Sequence, residues 1–175
     1  MRLQVRRASP LLSGVMTELE IRATIEDALR SYCRGIDRLH PPSIAAAFHP
    51  GAALIDYGSE PSTIEVFVQN VVAALSSRFA ATQHRIGNIS IEITGDKALV
   101  ETYVLAFHVD ETGDERRLHT FSGRYIDRFE GRDGVWKIAQ RTLRNDWSMV
   151  APMGEPMSGA WKASGRGDTP DPIFA

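Results

Sequence analysis

The chain has 175 residues, of which 43% are hydrophobic and 24% are charged. This composition is typical of one folded domain with a hydrophobic core, and it argues against extensive disorder. Lys and Arg number 20 against 22 Asp and Glu, and the net charge of −2 argues against a general nucleic-acid-binding protein. The single cysteine, Cys33, excludes an internal disulfide framework and a cysteine-based zinc cluster.

The first 15 residues form a separate region, which we predict to be a poorly ordered arm (1–15) before a folded domain (16–149). No run approaches the about 18 apolar residues of a membrane span, and the arm lacks the apolar stretch of an export signal. We therefore expect a cytoplasmic protein without a membrane partner. Met16 precedes a typical helix start, so translation from Met16 is an alternative to translation from Met1.

The last part of the chain (150–175) is a tail rich in Gly, Pro, Ser and Met. Such a segment does not sustain a helix or a central strand. We expect it to wrap a surface or cover the mouth of a cavity. Trp161 and Phe174 would anchor it, because aromatic side chains are costly to leave in water.

Hydrophobic spacing in the first half of the chain predicts three helices and one strand. The helices are expected at Thr17–Leu39, Ser43–Phe48 and Thr63–Ser77, and the strand at Ala52–Tyr57. Thr17 and Glu20 have the spacing of a capping box, and Pro41 should end the first helix. We expect Pro50-Gly51 to break the second helix and Pro61 to lie in the first turn of the third.

The second half of the chain changes to alternating or continuous apolar character, which predicts four long strands. These are Gln83–Ile93, Lys97–Val109, Arg117–Phe129 and Val135–Met149, separated by glycine-containing turns. Helices followed by a meander indicate an α+β fold with a curved sheet over the helices. A cavity between the two layers is the natural ligand site.

Four segments in this order resemble the SnoaL-like branch of the NTF2-like superfamily. They are Tyr32–Asp37, Gln83–Asn88, Glu101–His108 and Gly123–Arg141. The resemblance spans Thr17 to Met149. It implies a cone-shaped barrel in which three N-terminal helices pack on a strongly curved, mainly antiparallel sheet. It also implies an apolar pocket and a homodimer or homotrimer.

The resemblance also implies site residues, because dehydratases and dehydrochlorinases of this family use a buried Asp–His pair. The Asp falls on Asp37 and the His on His84. The family's helix tyrosine, second histidine and pocket arginine fall on Tyr32, His108 and Arg141. Those enzymes use neither a metal nor an organic cofactor, and the five histidines here show no HxH or HExxH spacing.

The chemistry of elimination explains these residue types. A neutral imidazole is a suitable base for a carbon-bound proton, and a carboxylate on its other nitrogen fixes the tautomer. The leaving hydroxyl or the developing enolate then needs a hydrogen-bond donor. The candidate donors are Tyr32, Tyr57, His108 and Arg141.

Each candidate also has a purely structural alternative. Asp37 could form a solvated ion pair with Arg34 or Arg38, and His84 could be a hydrogen-bonded core residue. The face of the strand that His108 occupies is undetermined by the pattern alone. The alternative for Tyr32 is core packing, and the alternative for Arg141 is a surface position, with Arg144 as its rival. Tyr57 lies at the end of a short predicted strand and is a weaker candidate.

Three functions remain open at this level. The first is a dehydratase-like lyase or an isomerase acting on a hydrophobic small molecule, such as a steroid or polyketide. The second is a non-catalytic domain for small-molecule binding or assembly, because this fold serves both purposes. The third is an aldol catalyst resembling the polyketide cyclases.

Overall fold

The computed structural model describes residues 16–58, 60–159, 165–167 and 171–174. The arm and Trp161 lie outside the described residues, and so do the predictions made for them. The three helices are α1 (Glu18–Arg38), α2 (Pro41–Ala46) and α3 (Ile64–Arg78). The strands are β1 (Phe48–Ile55), β2 (Ser62–Thr63), β3 (Phe79–Thr94), β4 (Lys97–Asp110), β5 (Arg117–Arg132) and β6 (Val135–Pro152), with a 3₁₀ turn at Pro172–Phe174.

Helix α1 begins and ends where its sequence predicts. Thr17 and Glu20 form the capping box, with the backbone N–H of Thr17 donating to Glu20 Oε2 at 2.8 Å. Leu39 ends the helix in the left-handed region at a φ of 52°. Gly35 is required inside the helix, because a Cβ there would lie 2.7 Å from the backbone nitrogen of Ile44 on α2.

Three proline expectations need correction. Pro41 begins α2 instead of only ending α1, because the first turn of a helix needs no N–H from that position. Pro50 and Gly51 lie inside β1, where the pairing with β6 shifts register and Gly51 has a φ of 72°. Pro61 precedes the short strand β2, and α3 starts after Thr63 instead.

The sheet has six strands in the order β2-β1-β6-β5-β4-β3. Strands β3 to β6 form the predicted antiparallel meander, whereas β1 pairs in parallel with β6. The two edge strands do not pair with each other, so the sheet is curved but unclosed. Strand β6 continues to Pro152, and the first residues of the predicted tail therefore belong to the sheet.

The helices cover one face of this sheet, and the core lies between the two layers. Ile25 and Leu29 of α1 are buried with Val100, Phe129 and Ile138 of the strands. Among the described residues, no helix combines the length and apolar character that crossing a bilayer requires.

Two of the five register shifts in the described part of the sheet bear directly on which side chains face the helices at the site. Between Gly87 and Ile89 the β3–β4 register shifts by one residue, and Asn88 has a φ of 46°. Because strand side chains alternate, one extra residue exchanges the two faces of everything that precedes it. A second shift between Arg128 and Phe129 does the same in the β5–β6 hairpin.

Candidate active site

A cavity of about 310 Å³ lies between α1, α3 and the inner face of the sheet. Its wall is largely apolar, and its polar groups come from three tyrosines and two histidines. The lining residues are Tyr32, Ile36, Tyr57, Phe67, Val71, Leu75, His84, Ala106, His108, Phe121, Tyr125 and Leu143. Few polar groups in an apolar cavity are typical of a small-molecule site.

Asp37 and His84 meet at one end of this cavity. Asp37 lies in the last turn of α1, and the register shift at Asn88 turns His84 of β3 toward the helices. Asp37 Oδ1 is 2.7 Å from His84 Nδ1, and Oδ2 accepts the backbone N–H of His84 at 2.9 Å. Both side chains are about nine-tenths buried, with exposures of 11% and 10%.

The carboxylate determines which nitrogen of His84 carries the proton. A carboxylate only accepts hydrogen bonds, so Nδ1 is the donor to Asp37 and a neutral imidazole leaves Nε2 unprotonated. His84 lines the cavity, whereas Asp37 does not. The arrangement is that of an imidazole oriented by a carboxylate behind it, which can abstract a proton.

His108 faces the same cavity. The structure therefore shows which face of β4 this side chain occupies, a point that the sequence pattern alone leaves undetermined. It lies on β4 two residues from the inward-facing Ala106, and its ring packs edge-on against that of His84 at 5.5 Å. Burial, and then the neighbouring His84, lowers the pKa of His108 to about 4. Near neutral pH this side chain is therefore an uncharged hydrogen-bonding group.

Tyr32 and Tyr57, two of the three tyrosines of the cavity, form its second polar group. The hydroxyl oxygens of Tyr32 on α1 and Tyr57 after β1 are 3.4 Å apart. Burial raises the pKa of both phenols, so they remain protonated and able to donate. A pair of neutral donors in an apolar cavity can stabilise negative charge that develops on a substrate oxygen.

Arg141 does not line the cavity, in contrast to its expected role as a donor that touches substrate. Its side chain has no exposure, and Nε and Nη2 each donate to Asp127 at 2.7 Å. The guanidinium carbon lies 4.3 Å from the ring centre of Tyr32 and 4.0 Å from that of Tyr125. Its Nη1 is buried and has no hydrogen-bond partner among the described residues.

Asp127 is the buried charge that sequence reasoning missed. It lies directly opposite Arg141 in the β5–β6 pairing, so both side chains share the inner face of the sheet. The ion pair raises the pKa of Arg141 well above its usual value, although burial opposes this. The rival Arg144 is half-exposed and pairs with Asp56 at the surface.

The single cysteine of the chain, Cys33, lies close to the Asp37–His84 pair. Cys33 is buried one turn before Asp37, and burial raises the pKa of its thiol to about 12. A thiol that stays protonated is a poor nucleophile. Within the described ranges, no three His, Cys, Asp or Glu side chains are grouped so that they could hold a metal ion.

Comparison with solved structures shows the same fold in several proteins. A protein named "Putative Scytalone Dehydratase" from Novosphingobium aromaticivorans is 24% identical, with a TM-score of 0.65 over 79% of this chain and 91% of that chain. The LinA-type3 hexachlorocyclohexane dehydrochlorinase from Novosphingobium barchaimii is 23% identical, with a TM-score of 0.65 over 81% and 95%. A type 2 enzyme of the same name is 21% identical, with a TM-score of 0.66 over 81% and 94%.

Comparison with sequences gives the family. No curated protein matches the chain. The SnoaL-like domain matches residues 17–142, which include both members of the Asp37–His84 pair and Arg141. This match covers most of the chain, and the solved structures share its curved sheet over three helices. The chain belongs to the SnoaL-like domain family and has the NTF2-like fold.

Proposed function

We propose that this protein is a cofactor-independent lyase of the dehydratase type, or an isomerase, that acts on a hydrophobic small molecule. The observation that carries the proposal is the hydrogen bond of 2.7 Å between Asp37 and His84 at the wall of an apolar cavity. Names of structural neighbours support the reaction class, since they include dehydrochlorinases and a protein named for a dehydratase.

The proposed reaction begins with transfer of a carbon-bound proton to His84 Nε2. The electron pair of the broken C–H bond becomes either an enolate or a new C=C bond, and in the second case a hydroxide or halide leaves with its own bonding pair. Asp37 stabilises the imidazolium that forms. The imidazolium then returns its proton to the departing hydroxide, which leaves as water, or to another substrate carbon in an isomerisation. Where a halide leaves, the imidazolium releases its proton to solvent.

The two tyrosines would act at the other end of the substrate. We propose that Tyr32 and Tyr57 donate to a carbonyl or hydroxyl oxygen on which charge develops. The geometry supports this role, because both hydroxyls border the cavity and lie 3.4 Å apart. His108 would contribute as a neutral hydrogen-bonding group beside the base, and Arg141 through the ring of Tyr32.

The experiment measures turnover of cyclic β-hydroxy ketones, whose dehydration gives a conjugated enone that absorbs ultraviolet light. We expect Asp37→Asn and His84→Ala each to lower kcat by about 10²–10⁴-fold, which is the usual contribution of a general base. Asp56→Asn is a matched control at an exposed carboxylate outside the cavity and should keep the activity.

The outcomes separate the proposal from its alternatives. Unchanged turnover in both Asp37→Asn and His84→Ala would contradict the mechanism. Saturable binding of these ketones to the unmodified protein, without turnover or solvent deuterium uptake at their acidic carbon, would favour the non-catalytic binding function. Carbon–carbon bond formation in place of dehydration would favour the aldol catalyst.

A further inference from the structure

A short part of the C-terminal tail (165–167) lies against the ends of two helices. The guanidinium of Arg166 donates from Nη1 to the carbonyl of Phe79 at 2.8 Å and from Nη2 to that of Leu75 at 3.4 Å. The next residue, Gly167, donates its backbone N–H to the carbonyl of Arg38 at 2.9 Å. The tail therefore joins the end of α3 to the end of α1.

Arg166 occupies a position where a cation is favourable. The last carbonyls of a helix carry partial negative charge. Leu75 and Phe79 lie at this end of α3, where the carbonyl of Leu75 also accepts the backbone N–H of Phe79. Both residues belong to the surroundings of the cavity. Leu75 lines it, and the ring of Phe79 packs on that of His108 at 4.9 Å.

The same guanidinium acts on the carboxylate of the pair. Burial lowers the pKa of Arg166, and the negative charge of Asp37 partly offsets that effect. Its Nε is buried without a hydrogen-bond partner among the described residues. Both oxygens of Asp37 already accept hydrogen bonds from His84, so the charge of Arg166 acts on this carboxylate without a hydrogen bond of its own to it.

Two further contacts hold the tail at the junction between α1 and α2. Arg38 Nε donates to Asp171 Oδ2 at 2.8 Å, and the ring of Phe174 stacks on His40 at 4.0 Å and an interplanar angle of 20°. Arg38 directly follows Asp37, and His40 caps the start of α2. The tail is thus attached after Arg166 at Gly167, Asp171 and Phe174, and these contacts hold it near the end of α1.

We propose that Arg166 is a positioning residue of the active site, which ties the last turn of α3 to the last turn of α1 and so holds Asp37 against His84. This inference rests on the proposed role of the Asp37–His84 pair. Arg166 is not itself a catalytic residue, because it contacts backbone carbonyls and does not line the cavity.

The test follows hydrogen exchange of the His84 backbone N–H, which donates directly to Asp37. In Arg166→Met we expect this amide to exchange about tenfold faster, because local opening of the contact becomes easier. Arg166→Lys keeps the charge and should restore part of the protection. Arg34→Met is the control. Arg34 is an exposed arginine one turn before Asp37 on α1, and its replacement should leave exchange of the His84 amide unchanged.

Two further readouts distinguish positioning from general stability. The amides of Phe129 and Ile138 in the β5–β6 hairpin should exchange at unchanged rates in every variant. The low-field proton resonance of the Asp37–His84 hydrogen bond should weaken in Arg166→Met and return in Arg166→Lys. Unchanged protection at His84, or equally faster exchange at Phe129 and Ile138, would overturn the proposal.

The exchange experiment needs no substrate. Loss of His84 protection in Arg166→Met would therefore support the positioning role even if no ketone were turned over. Conversely, active Asp37→Asn and His84→Ala variants would remove the proposed function while leaving the measured coupling between Arg166 and Asp37 intact.

Discussion

Asp37 and Arg141 are both buried charges, but their partners differ. Asp37 accepts a hydrogen bond from His84, and in the proposed reaction the His84 imidazolium would form an ion pair with it. Arg141 already has a full ion pair with Asp127 and lies between two aromatic rings. Because desolvation usually offsets the attraction within such a pair, its presence is weak evidence for stabilisation. A contribution to the electrostatics of Tyr32 is a more specific reason for it.

Removing one member of the buried ion pair should cost more than removing both. Arg141→Met leaves the carboxylate of Asp127 buried without a partner, and we expect a loss of about 3–5 kcal/mol in the free energy of unfolding. The double variant Asp127→Leu/Arg141→Met removes both charges and should recover most of this loss. Urea unfolding of both variants and the parent measures the coupling. Additive losses would show that the two side chains do not act as a pair.

His108 should make the protein sensitive to mild acid. Its pKa of about 4 in the folded state lies below its usual value of 6.5, so the unfolded chain binds the proton first as the pH falls. The free energy of unfolding should therefore decrease as the pH falls from about 6.5 to about 4, by on the order of 1–3 kcal/mol for this group. His108→Gln should show a shallower decrease in urea titrations at pH 7 and pH 4.5. An unchanged pH dependence in that variant would contradict the assignment.

At the scale of strands, the irregularity at Asn88 brings His84 to the cavity. Ile89, Ile91 and Ile93 face the core after this point in the chain, and His84 faces it before this point, at an odd number of residues from each of them. Regular alternation would have placed His84 on the outer face. The inserted residue is therefore as necessary to the site as the histidine itself.

Substitution at Asn88 tests this dependence on backbone conformation. Its φ of 46° is tolerated by Asn and Gly but is strained for a β-branched residue. We expect Asn88→Val to lower the free energy of unfolding by about 1–2 kcal/mol and to reduce turnover, because the register around His84 is disturbed. Asn88→Gly should be close to the parent in both thermal unfolding and activity. Equal effects of the two substitutions would contradict this explanation.

The elements themselves were largely predictable from the sequence. The capping box of Thr17 and Glu20 sets the start of α1, and glycine-containing turns mark the ends of the long strands. The faces of two strands were not predictable, because a single inserted residue changes alternation without changing composition. For the same reason the contact of Arg141 with Asp127 could not be found: an unbroken hairpin from Asp133-Gly134 would pair Asp127 with Gln140.

The candidate site was also predictable from the sequence only in part. The approach of Asp37 to His84 was anticipated by the resemblance of their segments, whereas their roles remain proposals. Arg166 lies 129 residues from Asp37 in a Gly- and Pro-rich tail without periodicity, so no local pattern links the two. Its contribution depends on where the tail crosses the ends of α1 and α3.

At the scale of the whole molecule, the outer face of the sheet carries exposed apolar side chains. Tyr103, Trp147 and Met149 are each about half-exposed. Cross-strand pairing places Trp147 in one row with Leu105, and Met149 in one row with Phe107. A cluster of large apolar side chains on one face is typical of a protein interface.

We propose that this face joins copies of the chain into a homodimer or homotrimer. Sedimentation equilibrium should then give a two- or threefold multiple of the chain mass of 19.4 kDa. Met149→Arg places a charge within the face and should shift the mass toward the monomer, because a buried unpaired charge is costly. Leu19→Arg is a matched control at an exposed residue of α1. A monomeric parent protein would contradict the proposal.

The extra residue at Asn88 also determines what deletion of its codon would do. Loss of that single codon would restore regular alternation in β3 and turn Gln83 and Arg85 inward while His84 turned toward solvent. The cavity would exchange an imidazole for an amide and a permanent cation in one step, with every other wall residue retained. The same framework would then present an anion-binding group in place of the proposed base, so an in-frame deletion would separate ligand binding from the proposed proton abstraction.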